Sequence, residues 1–167
     1  VSLINASENP PSLLISGSAV GFYGKQSDTI IDESFTDTFD DFGHRLCERW
    51  EHLATQAASS KTRVCIIRTG IVLSRGIVHL ISNSACHGVY NFTAPNPVTN
   101  HQYSHELAKA LRRPCLFKIP ESLLRLSLGE AADLLVYGQR VIPKRLLESG
   151  YEFVFPELAQ ALDCVRK

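Results

Sequence analysis

Two short apolar runs, separated by a segment of helical periodicity, constrain the fold of this chain more than any other feature. Leu13 to Ile15 leads into the small residues Ser16, Gly17 and Ser18, and the second run covers Arg63 to Arg68. Runs of this length are typical of buried parallel strands. Between them, apolar residues recur at steps of three and four from Asp40 to Ser59, which predicts a connecting helix. The sequence therefore predicts a βαβ unit.

The rest of the chain predicts further helices and strands around this unit. We expect helices over Ile77 to Ala85, Thr99 or Asn100 to about Arg112, Ser122 to Val136 with a break at Gly129, Pro143 to Glu148 and Pro156 to Val165, and strands over Gly88 to Thr93 and Tyr151 to Phe155. The polar segment from Gly21 to Asp41 predicts a long loop. The predicted fold class is α/β, with a Rossmann-like parallel sheet flanked by helices and a small mixed α+β C-terminal lobe.

Composition and charge argue against nucleic-acid and membrane partners and favour a cytoplasmic location. Lys plus Arg and Asp plus Glu number 17 each, so no net charge draws the chain to nucleic acid or to an anionic membrane. No apolar run is long enough to span a bilayer. The five cysteines have no C-x-x-C spacing, which favours free thiols and a cytoplasmic location. The sequence contains no methionine, which indicates that it starts inside a longer protein.

Four segments resemble one known family. They are ISGSAVGFYG, IIRTGIVLSRG, NFTAPNPVTN and GQRVIPKRLLESGYEFVFPEL, and Trp50-Glu51 stands between the first two. In this order they resemble the YfcH-type nucleoside-diphosphate-sugar epimerases, atypical extended short-chain dehydrogenases with a C-terminal domain of unknown function. The resemblance implies an incomplete NAD(P)-binding Rossmann-like domain over residues 1–93 and a substrate-side lobe over 94–167. It also implies NADP as the cofactor, with NAD as the alternative.

The sequence departs from that family in two places. No G-x-x-G-x-x-G turn is present to hold the cofactor pyrophosphate on a helix N-terminus. In addition, Gly76 is followed directly by Ile77, where the family carries a further Gly-rich block. We expect both segments to exist in the natural protein.

The family resemblance and the ends of the predicted strands together name the candidate site residues. Ligands of such sheets bind outside the carboxyl ends of the strands. The resemblance implies that Ser18 holds a substrate oxygen, and Tyr23 is a candidate proton donor whose alternative role is packing. Arg68 is a candidate either to bind a phosphate or carboxylate of a ligand or to form a structural ion pair. The predicted cofactor contacts are Ser16, Gly17, Arg68, Gly70, Ile71 and Val72.

The acid–base pair of the superfamily is missing. Aligning the helix on Glu51 puts Gly43 at the position of the usual tyrosine and Cys47 at that of the usual lysine. Neither residue performs that proton transfer. Two functions therefore stay open: an NADP-dependent epimerase or oxidoreductase acting on a small hydroxylated substrate such as a nucleotide sugar, and a non-catalytic NADP-binding sensor or regulatory protein. A scaffold that binds no ligand is a third interpretation.

Two further predictions concern metals and self-association. His101 and His105 are four residues apart, but the remaining ligands of a zinc site do not accompany them, so no metal site is predicted. Members of the superfamily often pair through the helix that holds Trp50, so the resemblance favours a homodimer, while the sequence itself does not decide the oligomeric state.

Overall fold

The computed structural model describes residues 1–26, 28–70, 76–114, 120–132, 136 and 138–165. Its strands are β1 (Leu13–Ala19), β2 (Ile30–Ile31), β3 (Arg63–Thr69), β4 (Gly88–Phe92) and β5 (Arg140–Val141). Strands β1, β3 and β4 form a parallel sheet in the order β1-β3-β4. The predicted βαβ unit and the parallel sheet are confirmed.

Helices cover both faces of this sheet. They are α1 (Ser2–Ala6), α2 (Phe42–Thr55), α3 (Gly76–Ser82), α4 (Asn100–Leu111), α5 (Glu121–Leu128), α6 (Lys144–Glu148) and α7 (Leu158–Val165), with 3-10 turns at Val20–Tyr23 and Gly129–Ala132. Helices are present at the predicted positions, with bounds that differ by a few residues at most ends. The predicted helix from Ser122 to Val136 is helical to Leu128 and continues as a 3-10 turn, and residues 133–135 lie outside the described residues. Of the two predicted caps of α4, Thr99 or Asn100, the structure shows Thr99, which forms a capping box with Gln102.

Each face of the sheet has its own apolar core. On one face, Val64 and Ile66 pack with Ala57. On the other face, side chains of β3 and β4 pack against Leu80 of α3 and Leu146 of α6. The alternation of side chains along each strand separates these two sets.

The predicted strand at residues 151–155 is wrong. This segment is irregular in the structure. Tyr151 and Phe153 pack edge to face, with ring centroids 4.9 Å apart, and both contact the core cluster of Leu80 and Leu146. Their alternation therefore reflects aromatic packing onto the core rather than pairing with a neighbouring strand.

The apolar stripe of α2 faces outward. Phe42, Leu46, Trp50 and Leu53 are 41–54% exposed. The helix instead turns Gly43, Cys47, Glu51 and Ala54 toward the sheet. An amphipathic pattern predicts a helix correctly, but here the large apolar side chains do not lie on the face that covers the sheet.

The C-terminal residues return to the first half of the chain. Strand β2, inside the predicted loop from Gly21 to Asp41, pairs in parallel with β5. Arg145 donates to the carbonyl oxygens of Val89 and His87 at 2.6 and 2.9 Å and stacks on the ring of Tyr90. These contacts cross the predicted boundary at residue 93, and the division into two domains stays a prediction.

Candidate functional site

Three polar side chains form a row across the carboxyl end of the sheet. The parallel register pairs Ser18 of β1 with Arg68 of β3, and Arg68 with Asn91 of β4. Register partners in a parallel sheet direct their side chains to the same face. All three residues are buried. We refer to Ser18, Arg68 and Asn91 as the polar row.

Glu51 joins this row from helix α2. Its carboxylate accepts hydrogen bonds from Arg68 Nε at 2.8 Å and Arg68 Nη2 at 2.7 Å, and Ser18 Oγ lies 2.7 Å from Oε1. The Arg68 guanidinium also stacks on the ring of Phe22, 3.3 Å from its centroid. Burial alone would lower the pKa of Arg68, but the Glu51 carboxylate outweighs burial and raises that pKa above its usual value.

Tyr23 contacts the polar row at its Asn91 end. Its side chain is fully buried, and its hydroxyl donates to Asn91 Oδ1 at 2.8 Å. Asn91 Nδ2 donates in turn to the carbonyl oxygen of Ile142 at 3.1 Å. Burial raises the pKa of Tyr23, and the charge of Arg68 only partly opposes it. Tyr23 therefore keeps its proton and donates it to Asn91 in this structure, and both of its predicted roles, proton donor and packing residue, stay predictions.

A second carboxylate, that of Glu33, holds the far end of the row. It accepts from the backbone N–H of Asn91 at 2.9 Å and from that of Arg145 at 3.2 Å. Burial raises the pKa of Glu33 despite these two N–H groups. Sequence reasoning proposed neither Glu33 nor Glu51 as a site residue, because their partners lie tens of residues away and no local spacing shows them.

The structure brings the predicted strand-end residues together. Thr69 Oγ1 donates to the carbonyl oxygen of Ser18 at 2.9 Å, which ties the ends of β1 and β3 to each other. Of the two roles considered for Arg68, the structure shows the ion pair, and a contact from Arg68 to a cofactor stays a prediction. The predicted contacts at Ile71 and Val72 lie outside the described residues.

Two glycines at this edge have different surroundings: Gly17 leaves open space, and Gly70 allows the ends of two strands to pack closely. Gly17 is exposed, and a Cβ built there meets nothing within 4 Å. A Cβ at Gly70 would lie 3.1 Å from Thr93 Cγ2 and 3.8 Å from Val20 Cγ1. The Gly70 N–H donates to the carbonyl oxygen of Phe92 at 3.2 Å. The three strand ends are thus packed side by side, with open space above Gly17.

One buried hydroxyl at this edge stands apart from the other polar groups. Thr93 follows β4 directly, and its buried Oγ1 has no hydrogen-bond partner among the residues that the structure describes. Buried hydroxyls are nearly always hydrogen-bonded in native proteins. An unpaired polar atom beside Gly70 fits the ring end of a dinucleotide, whose carboxamide carries both a donor and an acceptor. The space at Gly17 opens on the other face of β1 from the Ser18 side chain. The pyrophosphate cradle has no counterpart in the sequence.

The helix positions where the superfamily carries its acid–base pair hold small, buried residues. Gly43 and Cys47 both face the sheet. Burial raises the pKa of the Cys47 thiol, although the backbone N–H of Ala19 and the Ser18 hydroxyl favour its thiolate. His44 is engaged through Nδ1 with the carbonyl oxygen of Phe22. No side chain on the described face of α2 thus replaces the tyrosine and lysine directly.

The described part of the chain shows neither a metal cluster nor a membrane helix. No group of three or more His, Cys, Asp or Glu side chains within it could hold a metal ion. None of its helices is long and apolar enough to cross a bilayer. The four cysteines in this part are free thiols, and three of them are buried.

Comparisons with known proteins cover nearly the whole chain. Residues 119–165 match a family model described as a domain of unknown function, DUF1731. The chain is 31% identical to the Arabidopsis thaliana "Epimerase family protein SDR39U1 homolog, chloroplastic" over 99% of its own length, and 30% identical to an epimerase family protein of Mycobacterium leprae over 89%. These matches support the epimerase family that the sequence resembles. It spans 58% and 60% of the lengths of these two relatives.

Solved structures agree with the fold and the family. The human epimerase family protein SDR39U1, crystallised with NADPH, matches 99% of this chain and 68% of that chain, at a TM-score of 0.88 and 25% identity. A nucleoside-diphosphate sugar epimerase from Corynebacterium glutamicum matches 96% and 38%, at a TM-score of 0.70 and 25% identity. The Arabidopsis alignment is 204 residues long, so that relative carries residues that this 167-residue chain lacks.

Proposed function

We propose that this epimerase family chain forms the nicotinamide side of an NADP site. The observation that carries the proposal is the meeting of three strand ends at one edge, with Gly17 open, Gly70 packed against Thr93, and an unpaired Thr93 hydroxyl. This is the edge at which parallel α/β sheets bind ligands. The NADPH in the similar human structure supports the same assignment.

In this proposal the chain's own residues bind and orient the cofactor ring. The half-buried Ser16 and the exposed Gly17 accommodate the ring, and Gly70 lies at the end of the neighbouring strand. The Thr93 hydroxyl would gain a partner from the ring carboxamide. When bound, NADP supplies hydride chemistry. The pyrophosphate and adenosine would be held by residues outside this chain.

We further propose a small hydroxylated substrate, such as a nucleotide sugar, for an oxidoreductase or epimerase reaction. The name of the Corynebacterium neighbour supports this substrate class. A second candidate function is a non-catalytic NADP sensor or regulator. It is favoured by Gly43 and Cys47 at the acid–base positions and by the buried, hydrogen-bonded Tyr23. We also propose a cytoplasmic location, which fractionation of cells would test.

Thermal unfolding of the protein at its full natural length tests the cofactor proposal. NADPH at about 100 times its Kd should stabilise the fold by about 2.7 kcal/mol. NADH at the same concentration is the matched control for cofactor preference. Absence of any stabilisation by either nucleotide contradicts the proposal and favours a scaffold.

Stopped-flow absorbance of bound NADPH with sugar-like ketones separates the two candidate functions. Oxidation of NADPH by any of these ketones supports the enzyme. Tight binding of NADPH without oxidation by any ketone supports the sensor.

A further inference from the structure

Two exposed histidines lie one turn apart on helix α4. His101 and His105 are four residues apart, so both side chains project from the same face of the helix. Their rings are nearly parallel, with an interplanar angle of 15° and centroids 5.7 Å apart. The capping box of Thr99 and Gln102 fixes the turn from which His101 projects. The fold therefore brings two imidazoles close together at the protein surface.

These two rings differ from the other histidines in their hydrogen bonding. Neither ring has a hydrogen bond to another residue in the part of the chain that the structure describes. The other four histidines each use a ring nitrogen inside the protein. The pairs are His44 with Phe22, His52 with Gln56, His79 with Ser149 and His87 with Ala85. Because a neutral imidazole has one nitrogen with a free lone pair, the pair on α4 offers two nitrogen ligands that no described contact uses.

The distance between the two rings fits a shared transition-metal ion. Bonds of about 2.0–2.1 Å from the ion to one nitrogen of each imidazole put the ring centroids roughly 5–6 Å apart. The observed separation of 5.7 Å lies in this range. Since both side chains are exposed, each ring can rotate until its nitrogen faces the ion, and the backbone of α4 does not have to move.

We propose that His101 and His105 chelate a divalent transition-metal ion of the class of Ni²⁺, Cu²⁺ and Zn²⁺. Imidazole is a preferred ligand of these ions, whereas Mg²⁺ and Ca²⁺ take oxygen ligands. Two protein ligands leave the other coordination positions to water or to an anion. The site is therefore open and exchangeable, unlike a closed zinc site with four protein ligands. The proposal goes beyond the proposed function and uses no residue of the cofactor edge.

The charges near the pair do not prevent binding of a cation. Lys109 lies one turn after His105, but its ammonium group is paired with Glu106 at 2.7 Å. The N-terminal end of a helix disfavours a cation by a factor of about two to five. Loss of a residue that only supports a ligand typically weakens metal binding by about 10- to 100-fold, and a direct ligand contributes at least as much. The second imidazole therefore outweighs the effect of the helix end.

Isothermal titration calorimetry of the protein at its full natural length, without an affinity tag, tests the site with chloride salts of the ions. Cys164→Ser is the background for all samples, because the exposed Cys164 thiol also binds such ions. We expect Zn²⁺ and Ni²⁺ to bind with a Kd on the order of micromolar, Cu²⁺ to bind more tightly, and Mg²⁺ not to bind at about 1 mM. Equal affinity for Mg²⁺ and Zn²⁺, or no binding of Zn²⁺ at about 1 mM, overturns the proposal.

Single substitutions assign the binding to the pair. His101→Ala and His105→Ala should each raise the Kd for Zn²⁺ about tenfold or more. His87→Ala is the matched control, because His87 is exposed and has no histidine four residues away, and its Kd should not change. Equal melting temperatures in EDTA confirm that the variants fold. Full affinity in either variant of the pair, or an equal loss in His87→Ala, overturns the assignment.

A change that restores the spacing separates chelation from a structural effect. In the His101→Ala variant, Lys109→His places an imidazole four residues after His105 and should recover most of the lost affinity. Lys109→Ala in the same variant is the matched control and should recover none. Failure of Lys109→His to recover affinity, or recovery by both changes, overturns the chelate.

Discussion

Glu51 on α2 and Arg68 on β3 form a bidentate ion pair in which the two side chains are only 9% and 6% exposed. Loss of one partner leaves the other charge buried and uncompensated. We expect Glu51→Ala and Arg68→Ala each to lower the free energy of unfolding by about 3–5 kcal/mol. Urea denaturation measures this loss.

The paired replacement Glu51→Leu with Arg68→Met is the informative control for that prediction. It removes both charges and should destabilise less than either single change, because apolar residues often replace a buried ion pair without loss. Lys109→Ala breaks the exposed pair with Glu106 and should cost about 0.5 kcal/mol or less. Single variants at Glu51 and Arg68 that cost no more than Lys109→Ala would contradict a buried pair.

The Tyr23 hydroxyl should matter more for stability than for cofactor binding. Tyr23→Phe leaves Asn91 Oδ1 buried without its donor, which we expect to cost about 1–3 kcal/mol in urea denaturation. The Kd for NADPH should not change. If Tyr23→Phe keeps full stability but abolishes NADPH oxidation in stopped-flow measurements, Tyr23 is the proton donor instead.

Adjacent carboxyl groups should give opposite pH dependence of stability. The Ser34 hydroxyl and Lys144 lower the pKa of Asp32 to about 2, whereas burial raises that of Glu33. A folded pKa below the unfolded value, about 3.9 for Asp, stabilises above that value. This stabilisation is lost as the pH falls from about 4 to about 2. Glu33 has the opposite effect on stability, because the folded protein disfavours its charged form. Protonation of Glu33 therefore raises the free energy of unfolding as the pH falls.

Urea denaturation as a function of pH separates the two groups. Asp32→Asn should flatten the loss of stability between about pH 4 and pH 2. Glu33→Gln removes a carboxylate whose charged form destabilises the fold at neutral pH. Stability should therefore fall more steeply on acidification in this variant, because protonation of Glu33 no longer offsets the loss. The same change of slope in both variants would contradict the assigned directions.

The exposed stripe of α2 supports the predicted homodimer. Phe42, Leu46, Trp50 and Leu53 would be covered together if two copies packed α2 against α2 about a two-fold axis. We expect a dimer by light scattering, and a monomer for Trp50→Glu. Glu48→Gln, an exposed change on the same helix, should stay dimeric. A monomeric wild type that Trp50→Glu does not alter would instead mean that other residues of the protein cover the stripe.

The sequence predicts the parallel sheet well because buried strands and helical spacing are local signals. Leu13 to Ile15 and Arg63 to Arg68 lie in neighbouring parallel strands as expected. The orientation of α2 was not predictable in the same way. Glu51 is buried only because Arg68 and Ser18 pair with it from two different strands. Such long-range compensation overrides the apolar periodicity that would otherwise turn the large side chains inward.

The candidate site was predictable in position more than in chemistry. Strand ends locate Ser18 and Gly70 at one edge, because ligands of parallel sheets bind there. The direction of each hydrogen bond depends on Glu51 and Asn91, whose partners are set by the register of three strands. Strand β2 was missed because two residues paired with a distant segment have no pattern of their own.

Titration of NADPH into a Gly17→Val variant tests the central claim most directly. Because a side chain at Gly17 meets nothing within 4 Å, the fold should accept valine without a change in melting temperature, while the added atoms occupy space needed by the cofactor ring. We predict that the Kd for NADPH rises about tenfold or more. Gly138→Val, where the space is equally open, should leave the Kd unchanged. Unaltered NADPH affinity in Gly17→Val would contradict a nicotinamide site at this edge of the sheet.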